Sequence, residues 1–234
     1  MLRVILLTLI VWLVYGGAAF GQIAFVQSAR VDGTGTQNVA FSSNNAAGNL
    51  IVVAIMIGNT TSDPTVSDTR GNTYTEDRRQ TQTTDGHRAF VFSAPNSVAG
   101  ANTVTVTITG TPTNRVMIHE YRGLATSSPR DQVNSGEADS SSTSDSGNVT
   151  TTVANELLFA MTTNNTTSVI TAGTNFTARS EDANNRTETE DRIVGATGTY
   201  NATFTFAGAI NWTCIIVTYK EQTGRSRALI GVGL

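Results

Sequence analysis

From Asn102 to Thr109 the chain alternates without a slip, with Val104, Val106 and Ile108 on one parity and Thr103, Thr105, Thr107 and Thr109 on the other. Successive side chains of an extended strand point to opposite faces, so this pattern describes a half-buried β-strand with an apolar underside and a hydroxylated outer face. On a helix the same residues would scatter around the cylinder and bury nothing. Threonine accounts for 39 of the 234 residues, and branching at Cβ is tolerated better in a strand than against a helical turn. The chain therefore reads as all-β.

Similar logic predicts strands at Ile23–Val31, Asn38–Ser42, Leu50–Ile57, Thr65–Asp68, Thr73–Arg78, Arg88–Ser93 and Arg115–Tyr121. The later part of the chain adds Asn148–Val153, Glu156–Thr162, Ser168–Thr171, Phe176–Ser180, Thr187–Val194, Tyr200–Phe206 and Asn211–Tyr219. Leu50–Ile57 and Trp212–Val217 are almost continuously apolar, as central strands covered on both faces must be. Turn chemistry at Asp32-Gly33, Arg70-Gly71-Asn72, Asp85-Gly86 and Ala99-Gly100-Ala101 separates the runs. Short strands with frequent turns imply a two-sheet antiparallel sandwich or jelly roll.

The two halves of the chain, residues 22–134 and 148–223, echo one another in order. Asn49-Leu50-Ile51-Val52-Val53-Ala54 matches Asn155-Glu156-Leu157-Leu158-Phe159-Ala160, and Gly71–Thr75 loosely matches Thr174–Thr177. Asn102–Gly110 matches Tyr200–Gly208, and Met117–Gly123 matches Ile215–Glu221. Ordered matches of this kind are the mark of a duplication. One sandwich is the expected outcome, because each half alone would bury little core. Ser135–Gly147, rich in Ser, Asp and Gly, reads as a solvated connector between the halves. The apolar tail, residues 224–234, reads as a last edge strand or a frayed end.

The first residues speak to the compartment. Arg3 precedes an apolar run from Val4 to Val14 that is short for a bilayer span, and small residues follow up to Ala19-Phe20-Gly21. This pattern predicts a signal peptide over residues 1–21, cut between Gly21 and Gln22, the alternative being a retained N-terminal anchor. The expected location is secreted, extracellular or cell-surface. A net charge of −3 and a single lysine, Lys220, argue against nucleic acid as a partner and against a polybasic membrane patch. With one cysteine, Cys214, in an apolar strand, no internal disulfide can form and a buried inert thiol is expected. Eight Asn-x-Thr sequons, such as those at Asn59, Asn148 and Asn211, follow from the abundance of Asn and Thr.

Candidate chemistry is sparse. His119 and Glu120 are neighbours on a strand and point to opposite faces, so they form no dyad; parity sends His119 to a core margin with Met117 and Tyr121. His87 reads as a turn residue. Glu188 and Glu190 share one face, as a glycoside-cleaving pair would, but sit among polar residues close to Arg186 and Arg192 and read as a solvated, charge-balanced edge strand. Glu76-Asp77-Arg78-Arg79 reads the same way. Asp139 and Asp145 could offer oxygens to calcium, although their spacing matches no defined loop. No catalytic residue, metal or cofactor is expected. Tyr74, Phe176 and Tyr200, near strand ends, are the candidates for a rim that stacks on a sugar ring.

Phe25-Val26-Gln27, Gly48–Ala54, Asp68–Thr75, Glu120-Tyr121-Arg122-Gly123-Leu124 with Ser127-Ser128-Pro129, and Ala154-Asn155-Glu156-Leu157 carry a resemblance. Over nearly the whole exported chain the sequence resembles β-sandwich modules of secreted bacterial surface proteins, often found beside immunoglobulin-like or fibronectin type III repeats. That resemblance implies location and fold, with no catalytic motif attached. The expected function is a non-catalytic exterior module for adhesion, display or ligand binding, with a glycan or cell-surface partner. Alternatives are a filament subunit, self-assembling when Ile23–Val31 or Ala228–Leu234 completes a neighbour's sheet, and a carbohydrate-binding or glycan-active protein.

Overall fold

A computed structural model describes residues 22–223; the expected signal segment with Gly21 and the apolar tail lie outside them, and Gln22 is exposed. The first half contributes eight strands: β1 (Ala24–Thr34), β2 (Gln37–Ala40), β3 (Leu50–Ile57), β4 (Thr65–Asp68), β5 (Thr75–Thr81), β6 (Arg88–Ala94), β7 (Thr103–Thr107) and β8 (Thr113–Arg122). The remainder forms β9 (Arg130–Asp145), β10 (Val149–Thr150), β11 (Glu156–Asn164), β12 (Ile170–Thr171), β13 (Thr177–Glu181), β14 (Thr187–Val194), β15 (Thr199–Tyr200) and β16 (Thr203–Lys220). No helix occurs among the described residues. The chain is an all-β, antiparallel, sandwich-type fold.

In the first half a large sheet runs β1-β8-β3-β6-β5 and a small one β2-β7-β4. The second half forms a large sheet β12-β16-β11-β14-β13, with β9 paired along β16, and a two-strand β10-β15 pair. The sheets pack in the sandwich manner expected, and three apolar cores are present among the described residues. Ile51, Val53, Ile55 and Ile57 face the first half's small sheet with Val104, Val106 and Phe90. Leu158, Ala160, Phe204, Trp212 and Ile216 form the second half's own core. Between them, Leu50, Val52, Ala54, Met117 and Tyr121 pack against Leu157, Phe159, Met161, Ile215, Val217 and Tyr219 across the two large sheets. The continuous apolar runs are thus explained: all of Leu50–Ile57 is buried because even and odd positions enter different cores.

The reading of Ser135–Gly147 as a solvated connector is corrected. Most of it belongs to β9, a 16-residue strand paired with β16. It lacks apolar alternation because its other neighbours are polar groups of the first half. Arg78 Nε donates to Ser135 Oγ at 2.9 Å, Gln82 Nε2 to Glu137 at 3.0 Å and Thr84 Oγ1 to Asp139 at 2.6 Å. Ladder hydrogen bonds and cross-half polar contacts hold the strand where hydrophobic burial would ordinarily do so. A buried Arg115–Asp182 ion pair, at 3.0 Å, adds a further tie between the halves.

On the expected matching of Tyr121 with Tyr219, the registers of the two large sheets can be set side by side. Leu50 pairs with Tyr121 and Leu157 pairs with Tyr219, so Leu50 corresponds to Leu157 and Asn49 to Glu156. A slip of one would have turned every side chain to the wrong face. The outer strands β1, β5 and β13 each carry one extra residue, Val26, Asp77 and Arg179, and β9 carries one at two of its three register shifts, between Ala138 and Ser141 and between Arg130 and Val133; at the third, between Thr205 and Ile210, the extra residues lie on β16.

Candidate functional site

β14 lies between β11 and β13, inside the second large sheet, so the reading of Thr187–Arg192 as a solvated edge strand does not hold. Its odd positions face the other half: Thr189 Oγ1 is 2.9 Å from His119 Nε2, and Asp191 takes Arg179 at 2.7 and 2.9 Å. Its even positions turn toward the second half's own core, where Val194 packs. Two of those even positions are Glu188 and Glu190, 3% and 0% exposed.

On the same matching, register sets two phenylalanines of the first half against these acids. Phe90 pairs with Ile55 and Phe92 with Val53 in the first half, while Glu188 pairs with Thr162 and Glu190 with Ala160 in the second. Carried over from Leu50 and Leu157, the equivalence sets Phe90 against Glu188 and Phe92 against Glu190. The phenylalanines lie with ring centroids 6.5 Å apart inside a complete core. Where the first half is roofed in part by the four-residue β4, the second has only the two-residue β12. The short roof leaves a groove of about 500 Å³, lined by Ile170, Thr171, Ala172, Ala178, Ser180 and Glu188, with Arg179 and Glu181 beside them.

Satisfaction of the two acids is incomplete. Gly173 N–H donates to Glu190 Oε2 at 2.6 Å, while Glu190 Oε1 is buried without a partner. Glu188 carries no hydrogen bond among the described residues, and the hydroxyl of the adjacent Thr187 is also buried without a partner. Burial pushes the Glu188 carboxyl up to about 7, with Glu181 opposite it on β13 adding to the rise. Glu190 is pushed to about 8, again chiefly by burial; the Gly173 N–H opposes the rise, and Glu188 and Asp191 reinforce it.

The other residues singled out in the sequence have separate settings. Tyr74 packs on the first half's core and donates its hydroxyl to Asp68 at 2.8 Å. Phe176 and Tyr200 pack on the second half's core; Tyr200 bonds to the Ala196 carbonyl at 2.8 Å, and Arg192 lies 5.3 Å over its ring. All three rings are half-buried, and the first is in a different half from the others, so they make no common stacking platform.

His119 is fully buried between the halves, T-shaped to Phe159 at 5.1 Å, and burial lowers its pKa to about 3. It faces the inter-half core, as parity predicted, but at its centre and not its margin. Glu120, on the opposite face, accepts from Gln27 at 2.6 Å, Asn45 at 2.8 Å, Asn49 at 2.7 Å and the Ala46 N–H at 2.9 Å, a set that anchors the loop before β3. His87 is buried against Asp85 in its turn. Within Glu76–Arg79 the outer pair is exposed, but Asp77 is buried and accepts from Tyr219 at 2.6 Å. Asp139 holds the 82–84 turn and Asp145 caps its own turn at Gly147, so the two serve different places and the calcium reading loses its loop. Cys214 is buried, its thiol pushed well up by that burial.

The acids' setting was missed in the sequence, yet a signal was present. The spacing that relates Tyr121 to Tyr219 also relates Phe90 to Glu188 and Phe92 to Glu190. Gly173 and the lining from Ile170 to Ala172 carried no comparable mark. Compared with family models, curated proteins and solved structures, the chain matches none of them.

Proposed function

We propose that this chain is a secreted, non-catalytic β-sandwich module of the cell exterior, of the bacterial surface type its sequence resembles, and that it binds a small ligand in the groove over Glu188. One observation carries the reading: two core positions that are phenylalanine in one half are incompletely satisfied glutamates in the other, beside the groove. Buried acids without partners cost stability, and replacing such charges by well-packed apolar groups is often stabilising. Keeping them argues for a task other than folding. The shared strand order and matched bulges are read as descent from one duplicated eight-strand unit.

The test is a thermal-shift survey of small polar compounds, with a glycan array alongside, on the purified chain and on Glu188→Gln. A compound that raises the Tm of the parent and leaves the variant unmoved supports the groove. Silence of the parent in both formats removes it.

A second reading, a glycan-cleaving enzyme, draws on the same acids at alternate positions of one strand. Retaining hydrolysis divides labour between a protonated acid and an ionised nucleophile. Here both carboxyls are pushed up together, which favours the binding reading. Hydrolysis of a glycan that disappears in Glu188→Gln and Glu190→Gln would reverse that preference.

A further inference from the structure

The groove's acceptors define its occupant. Glu188 lines the groove, 3% exposed, and accepts no hydrogen bond among the described residues, while Glu190, fully buried and outside the groove lining, keeps its Oε1 without a partner. A primary ammonium group brings three N–H donors and one positive charge. From these acids beside one groove, we infer that Glu188, with Glu190 next to it on the same face of the strand, receives the protonated primary amine of a small ligand whose carbon body lies along Ile170, Ala172 and Ala178. The inference rests on the groove reading above and narrows it to a ligand class.

Among the described residues no side chain supplies this charge. Arg179, on the bulge of β13, is turned to the other face of the sheet, where it pairs with Asp191 and lies 4.4 Å over the Phe25 ring. Arg192 shares the face of Glu190 but sits over Tyr200. Arg186, which precedes Glu188 on that face, forms no ion pair with either acid, and Arg30 of β1 pairs with Asp32 at 3.5 Å. β11 contributes Ala160 and Thr162 opposite the acids, neither of which titrates. From β16 the nearest titratable group is the Cys214 thiol, and β9 adds Asp145 beyond it. From β13, Glu181 adds a further negative charge at the rim.

A hard divalent cation fits less well. It would call for six or more oxygens, and no group of three or more metal-binding side chains exists among the described residues. A neutral polyol would find the acids ready to donate while protonated, but it would meet unpaired charges once they ionise. Volume agrees with a small ligand, since about 500 Å³ lies in the range of small-molecule sites.

Isothermal titration calorimetry of the purified chain with 1,4-diaminobutane, glucosamine and glucose tests the assignment. At least one amine is expected to bind while glucose does not. Affinity for 1,4-diaminobutane should rise by about tenfold from pH 6 to pH 8, because ionisation of the acids over that interval creates the partner charge. Glu188→Gln, with folding verified by near-UV circular dichroism, should abolish binding, and Glu190→Gln should weaken it by about tenfold or more. Binding by glucosamine alone would identify an amino sugar, and by 1,4-diaminobutane alone an alkyl amine, each in support. Equal binding of glucose would overturn the amine assignment and leave the groove standing. Binding that survives both glutamine variants, or no heat from either amine, would overturn it as well; in those cases the thermal-shift survey decides the groove separately.

Discussion

Glu120 shows how far a single side chain can organise a loop. Its carboxylate receives four donors from Gln27, Asn45, Ala46 and Asn49 while fully buried. Removing it strands those donors without water, so Glu120→Ala should lower stability by about 3 kcal/mol or more, read from urea unfolding. Glu188, Glu190 and Glu156 pull the other way. Burial raises all three, to about 7, 8 and 7. An acid whose folded pKa exceeds its unfolded value stabilises the fold at low pH, and the contribution is lost as pH climbs from about 4.5 through the folded value. His119 and His87, both lowered by burial, act oppositely: their contribution is complete above about 6.5 and lost as pH falls below it. Stability should therefore be broadly greatest between about pH 4.5 and 6.5 and decline toward pH 8. Thermal unfolding across pH 5 to 9 should show that decline, flattened in the Glu188→Gln/Glu190→Gln double variant.

At the scale of the element, the four bulged outer strands bear on self-assembly. An extra residue breaks the regular row of donors and acceptors and twists the edge away, which blunts pairing with another chain. Analytical ultracentrifugation of the purified chain is accordingly expected to return a monomer, whereas fibres or concentration-dependent growth would favour the filament reading. Strand β9 makes a second case. A Cβ on Gly136 would overlap the Asp145 carbonyl oxygen of the same strand, so Gly136→Ala should cost about 1–3 kcal/mol, measurable as a lowered urea midpoint. The sequence concealed β9 because its partners are polar groups of the first half, and a strand held by such contacts shows no apolar period. By contrast β3, β6, β8 and β14 were legible to within a residue or two, since each buries side chains at every position or at every second one.

For the whole molecule, the inter-half core joins the halves into one unit. The chain 22–134 produced alone would expose Leu50, Val52, Ala54, Met117 and Tyr121 to water. It is expected to bind 1-anilinonaphthalene-8-sulfonate strongly and to lose near-UV dichroism, as a collapsed but unpacked state does; a soluble half with a sharp, cooperative melt would contradict this. The candidate site belongs to this scale too. Its acids were visible in the sequence as two glutamates on one face, but their burial was not, because it depends on β11 and β13 flanking β14 and on a roof shortened at β12.

What the amino-acid sequence determined alone is local: the extended backbone, the parity of each strand, and the turns between them follow from side-chain branching and from alternation along a few residues. The number of cores, the placing of β9 and the burial of Glu188 and Glu190 were decided only by tertiary structure. Those properties arise from which faces meet across long separations in the chain, and no short-range period encodes the identity of the surface on the other side.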